Sequence, residues 1–102
     1  MDEIKIIWTN IAVNQRNKIF EYWNNRNKNN SYSRKLNLTI YEKTEFLKHN
    51  PLIGILGDLS PYRVLHFGNY SLIYKNAPNI VYIIAIWDNR QNPSKLKKIL
   101  GL

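Results

Sequence analysis

An uncharged run of eight residues at positions 80–87, Ile-Val-Tyr-Ile-Ile-Ala-Ile-Trp, is mostly β-branched or aromatic. Such a run fits a central strand covered on both faces better than an edge strand with polar residues at alternate positions, so the other elements have to pack against it. It ends abruptly. Asp88, Asn89, Arg90, Gln91 and Asn92 follow, five hydrogen-bonding side chains in succession, and Pro93 then prevents further ladder pairing. Polar groups carried at the end of a rigid strand are well placed for function.

The 102 residues are enough for one core, and we read them as a single domain, 1–102. Residues 4–8 alternate as a short strand that ends before Thr9, a suitable helix N-cap. Ala12, Ile19, Phe20 and Trp23 then form the packing stripe of an amphipathic helix predicted over residues 10 to about 25, in which Phe20 and Trp23 read as core. The asparagine-rich stretch 24–30 is a hinge of poor helix formers. Ser31 can cap a second helix, with Tyr32, Leu36, Ile40 and Leu47 on one face until Asn50 and Pro51 end the pattern. Residues 51–61, with two glycines and two prolines among apolar residues, read as a loop tucked against the core. Strands over 62–67 and 70–75 flank the turn pair Gly68-Asn69, and a further turn at 76–79 leads into the central strand. The expected class is α+β, a helical hairpin with an antiparallel meander, and residues 94–102 are either a final helical turn or frayed.

Charge and chemistry narrow the function. Fifteen Lys plus Arg against seven Asp plus Glu give +8, and from Ser60 onward the only acid is Asp88 among Arg63, Lys75, Arg90, Lys95, Lys97 and Lys98. A field of that sign favours polyanions or an acidic protein. The basic residues Arg34, Lys35, Lys43 and Lys48 of the second helix are interrupted by Glu42 and Glu45 and read as a solvated face. The chain has no cysteine, which excludes disulfides, thiolate metal sites and cysteine nucleophiles. His49 and His66 are distant in sequence with no carboxylate cluster beside them, so neither a metal nor a cofactor is expected. Nucleophile-elbow and glycine-rich phosphate motifs are absent. The N-terminus lacks a basic segment leading into an apolar signal region, and no apolar run approaches the roughly 18 residues that span a bilayer, so a cytoplasmic protein without a membrane partner is expected. Alternation along the strands groups Arg63 with Leu65 and Phe67, groups Val64 with His66, and puts Tyr70 and Tyr74 on one face. A face bearing Arg63, a tyrosine and Arg90 is suited to an anion. His66 is a candidate acid or base near neutral pH, although a lone strand histidine is more often structural.

The order of short segments along the chain then becomes distinctive. Ile7-Trp8-Thr9 with Ala12, Ile19, Tyr22 and Trp23, Pro51 with Gly54, Arg63 with Val64 and Leu65, Tyr-Ser-Leu-Ile-Tyr at 70–74, and Ile-Ala-Ile-Trp-Asp-Asn-Arg-Gln-Asn-Pro at 84–93 together resemble the RelE/ParE superfamily of type II toxin–antitoxin toxins over essentially the whole chain. The resemblance implies an N-terminal strand and helical hairpin packed on one face of a small, mainly antiparallel four-stranded sheet, with the first strand running parallel. It also implies a cognate antitoxin whose disordered, often acidic segment wraps the basic surface. RelE-like members cut mRNA in the ribosomal A site, whereas ParE-like members poison DNA gyrase.

For a ribosome-dependent endoribonuclease, the resemblance implies that Arg63 holds the scissile phosphate and Arg90 assists, with His66 or Asp88 in acid–base roles. Lys48, Tyr70, Tyr74 and Lys75 would then contact RNA. The cationic, tyrosine-bearing sheet half favours that function. The alternatives are a gyrase poison without nuclease activity and an inactive homologue that binds its antitoxin. One departure from the ribosome-dependent members is that Asp88-Asn-Arg-Gln-Asn92 replaces their histidine-containing tail.

Overall fold

The uncharged run becomes β5 (Ile80–Asp88), which lies between a parallel neighbour, β1 (Lys5–Trp8), and an antiparallel one, β4 (Tyr70–Ala77). In this computed structural model, which describes residues 3–102, the remaining elements are α1 (Asn10–Asn27), α2 (Ser31–His49), β2 (Ile55–Leu56), β3 (Arg63–Phe67) and α3 (Pro93–Ile99). The strands form one sheet in the order β1-β5-β4-β3-β2. The fold is the expected α+β arrangement, with the α1–α2 hairpin on one face of a mainly antiparallel sheet. Two parts exceed the expectation: the stretch read as a loop contributes a short fifth strand, β2, and the C-terminal tail forms a defined helix, α3, on the opposite face.

Where the face of each residue is decided, β5 departs from regular alternation. Tyr74 pairs with Ile83 but Ile73 pairs with Ala85, so Ile84 is an extra residue, a β-bulge. Val81, Ile83 and Ile86 consequently all join the core beneath the hairpin, with Leu36, Ile40, Leu47, Leu72 and Tyr74. Ala85 and Trp87 join the second core with Ile73, Leu96 and Leu100 under α3. Pairing of β1 with β5 stops at Trp8 and Ile83. Beyond it, Thr9 donates its N–H to Ile83 O at 3.1 Å. Its hydroxyl is shared between Ile83 O at 3.0 Å and Ile84 O at 3.1 Å. Gln15 Oε1 then accepts the N–H of Ile86 at 2.9 Å. These contacts pair the carbonyls of Ile83 and Ile84 and the N–H of Ile86 where the ladder is interrupted. Thr9 also caps α1, its hydroxyl accepting from Ala12 N at 3.2 Å.

Lys28, in the left-handed region at φ 57°, terminates α1 two residues later than expected, at Asn27. Ser31 is the first residue of α2 and not its cap, and its N–H is taken by Asn29 Oδ1 at 3.0 Å. The hairpin turn between β3 and β4 uses Gly68 at φ 55°, as the Gly-Asn pair predicts. Among the described residues no helix is long and apolar enough to cross a membrane.

The 51–54 segment is fastened by a tyrosine. Tyr74 is fully enclosed; its hydroxyl accepts from Gly54 N at 2.8 Å and donates to Pro51 O at 2.9 Å. A Cβ at Gly54 would fall 2.6 Å from the Tyr74 hydroxyl, so the close approach requires glycine. Arg63 braces the same segment from β3, with Nη1 donating to Gly54 O at 3.0 Å and Leu52 O at 3.3 Å. Tyr74→Phe leaves both groups without their partner. It is expected to lower unfolding free energy by about 1–3 kcal/mol in urea denaturation with an unchanged slope, and an unchanged midpoint would contradict the fastening role.

Candidate functional site

At the polar end of the sheet, Tyr70 begins β4 and pairs with Asp88, the last residue of β5. Both face α1, because the bulge has advanced the alternation of β5 by one residue. Tyr70 is buried and its hydroxyl accepts from Trp23 Nε1 at 2.8 Å. Burial pushes its pKa up, against the opposing effect of the Trp23 hydrogen bond. Trp23 lies edge-on to Tyr22, with centroids 5.1 Å apart, and tilted against Tyr32 at 4.6 Å. Arg26 caps this aromatic group, its guanidinium 5.7 Å from the Trp23 ring centroid and its Nη1 donating to Tyr22 OH at 3.1 Å.

Asp88 and Arg90 form a tight turn-spanning pair. Arg90 donates from its backbone N and Nε to Asp88 Oδ1 at 2.9 and 3.0 Å, and from Nη2 to Oδ2 at 2.8 Å. The side-chain hydrogen bond from Arg90 holds the Asp88 carboxyl below the usual carboxylate range, and Asp88 in turn raises the pKa of Arg90. Between α1 and this pair lies a cleft of about 480 Å³, lined by Lys18, Tyr22, Trp23, Tyr70, Asp88 and Arg90 among others. It combines exposed cations with aromatic surface and an aspartate held ionised. That chemistry suits recognition of a polar or anionic group.

The other sequence candidates lie elsewhere. Arg63 is opposite Tyr74 whereas Asp88 is opposite Tyr70. Four residues of β4 therefore separate the two positions, roughly 13 Å at strand rise. His66 occupies the α3 side of the sheet, with Val64, while Leu65 and Phe67 belong to the hairpin side. Its Nδ1 is 2.6 Å from Ser71 Oγ, whose hydroxyl donates to Asn89 Oδ1 at 2.6 Å. Lys48 is paired with Glu45 at 3.0 Å, which raises its pKa, and Lys75 is exposed opposite Tyr82. Tyr74, enclosed in the core, presents no open ring face for stacking.

The structure thus brings together Tyr70, Asp88 and Arg90, and separately Arg63 with Tyr74 and His66 with Ser71. It adds Lys18, Tyr22 and Trp23, of which the sequence reading assigned Trp23 to the core and gave none a part in a site. The spacing of Gln15, Lys18 and Tyr22, three and four residues apart, does mark one face of α1. Among the described residues no group of three or more His, Cys, Asp or Glu is placed to hold a metal ion.

A family model described as "ParE toxin of type II toxin-antitoxin system, parDE" matches residues 6–93. No curated protein matches the chain.

Because its folded pKa is depressed, Asp88 contributes stability that is present above its unfolded pKa and lost as pH falls through the folded one. Arg90→Gln is expected to move the titration of the Asp88 side-chain carbon, followed by NMR, upward toward the ordinary carboxylate value. The wild type's advantage over the variant at neutral pH should vanish once Asp88 is protonated in both. An unmoved titration midpoint would contradict the pairing.

Proposed function

The chain belongs to the family of ParE toxins of type II toxin–antitoxin systems, and from that premise we propose that it arrests growth by binding DNA gyrase, without an RNA-cleaving step, while a cognate antitoxin holds it inactive. Family membership implies the antitoxin. The choice of target rests on the dispersal of the side chains that a nuclease would need together. Cleavage by a 2′-hydroxyl requires a base, an acid and cations around one phosphate. Here Arg63 braces the carbonyls of Leu52 and Gly54 at one end of β4, and Arg90 is tied to Asp88 at the other. His66 belongs to the opposite face, bonded into Ser71 and Asn89. Arg63, His66 and the Asp88–Arg90 pair thus lie at three separate places on the sheet.

A toxin that acts by occupying a protein target needs no such convergence. The cleft between α1 and the end of β5 offers Tyr22 and Arg90 at its surface, residue types enriched at protein interfaces, with Lys18 beside them. That target would place the protein in the cytoplasm.

The test sets two activities side by side. Purified protein is expected to inhibit supercoiling by gyrase and to leave mRNA on programmed ribosomes uncut. Lys18→Glu with Arg90→Glu should weaken gyrase inhibition by about tenfold or more, while Arg63→Gln lowers stability but keeps inhibition per folded molecule. Ribosome-dependent cuts that disappear in a folded Arg63→Ala variant would overturn this function in favour of mRNA cleavage.

A further inference from the structure

The turn that carries Arg90 is held from both faces of the sheet. On the hairpin side, Asp88 takes Nε and Nη2 of Arg90. Among the described residues Nη1 has no such partner, so it is the nitrogen that Arg90 can offer at the cleft it lines. The Arg90 side chain is 53% exposed. An exposed ion pair confers little rigidity by itself, because solvent screens it and both side chains have to be ordered to make it. Where Arg90 points therefore depends on what holds the backbone of residues 88–91.

On the α3 side, a buried serine supplies that hold. Ser71 lies on β4 opposite Trp87 of β5 and His66 of β3, and is 2% exposed. Its Oγ is 2.6 Å from His66 Nδ1 and donates to Asn89 Oδ1 at 2.6 Å. Two partners at that distance fix the hydroxyl in one rotamer, and a buried hydroxyl that loses them is not readily resolvated. Asn89 is also tied through its backbone, its N–H donating to Asn69 O at 2.8 Å, and Gln91 N closes the turn on Asp88 O at 3.0 Å. Asn89 is the residue between Asp88 and Arg90. Fixing its side chain on one face fixes the backbone from which both neighbours reach the cleft on the other.

We propose that Ser71 and Asn89 are positioning residues for Arg90, acting through the sheet from the face opposite the cleft, with His66 holding the Ser71 hydroxyl in place. The inference rests on the reading of that cleft as the surface that meets a protein target. Neither residue touches the target. They fix the direction in which Arg90 presents the donors of Nη1 to an acceptor oxygen there, the support from behind that a recognition residue on a turn requires.

The test takes two readings on the full chain, the Nε–H signal of Arg90 by NMR and the concentration of folded protein that half-inhibits gyrase supercoiling. Ser71→Ala and Asn89→Ala are each expected to shift the Arg90 signal and to raise that concentration about threefold or more. Ser71→Thr keeps the hydroxyl and can place its methyl in the adjoining cavity of about 290 Å³, so both readings should stay at their wild-type values. Tyr74→Phe, which loosens residues 51–54 at the other end of β4, should also leave both unmoved while it lowers stability. An Arg90 signal unchanged in Ser71→Ala, or moved as far by Tyr74→Phe or Ser71→Thr, would overturn the positioning. A moved signal with unchanged inhibition would overturn the part this placement has in binding. Wild-type protein that leaves gyrase uninhibited would reject the target reading, and the Arg90 signal would still decide the positioning.

Discussion

Thr9 and Gln15 hold β5 where its parallel partner stops, and the position of the cleft beside Asp88 and Arg90 depends on that grip. β1 pairs only as far as Ile83, yet β5 continues through a bulge to Asp88. The Thr9 hydroxyl on the Ile83 and Ile84 carbonyls, and the Gln15 carbonyl on the Ile86 N–H, extend the pairing from the first turns of α1. A regular β5 would put Ala85 and Trp87 on the same face as Ile83. The extra residue gives that face to Ile86 and Asp88 instead, and sends Trp87 into the core under α3. The Asp88–Arg90 pair thereby sits against Lys18 and Tyr22 of the helix that Thr9 starts.

Polar side chains that look catalytic in isolation are divided between different structural tasks. Arg63 and Tyr74 jointly fasten residues 51–54, and the loop cannot be moved without breaking buried hydrogen bonds. Ser71, buried on the opposite face, links His66 to Asn89. The Tyr70, Asp88 and Arg90 group opens onto the cleft of about 480 Å³, and there the carboxylate is already satisfied by its own arginine. This division of labour supports the proposed action on a protein target, with the cognate antitoxin that family membership implies as its restraint.

Much of the fold was legible from local chemistry. The uncharged run specified a strand covered on both faces, Thr9 marked the start of α1, and Gly68-Asn69 marked the hairpin. The bulge was not legible, because every residue from Val81 to Ile86 is apolar or aromatic and any register satisfies the pattern. That ambiguity governed the site as well: which face Asp88 shares with Tyr70 depends on one extra residue at Ile84. β2 escaped notice because two exposed residues between glycines carry no periodicity, and α3 was legible only as one of two alternatives because Asn92, whose side chain accepts from Ser94 N, caps only a short helix. Tyr74 carried no local sign that its hydroxyl is spent on a segment some twenty residues earlier.

The fates of gyrase and of mRNA in the same arrested cells separate the two targets most directly. Covalent gyrase–DNA complexes, captured and mapped after the toxin is expressed, should accumulate while the 5′ ends of ribosome-bound mRNA stay as in unexpressing cells. New mRNA ends within translated frames, appearing without trapped gyrase, would contradict the proposed action on gyrase.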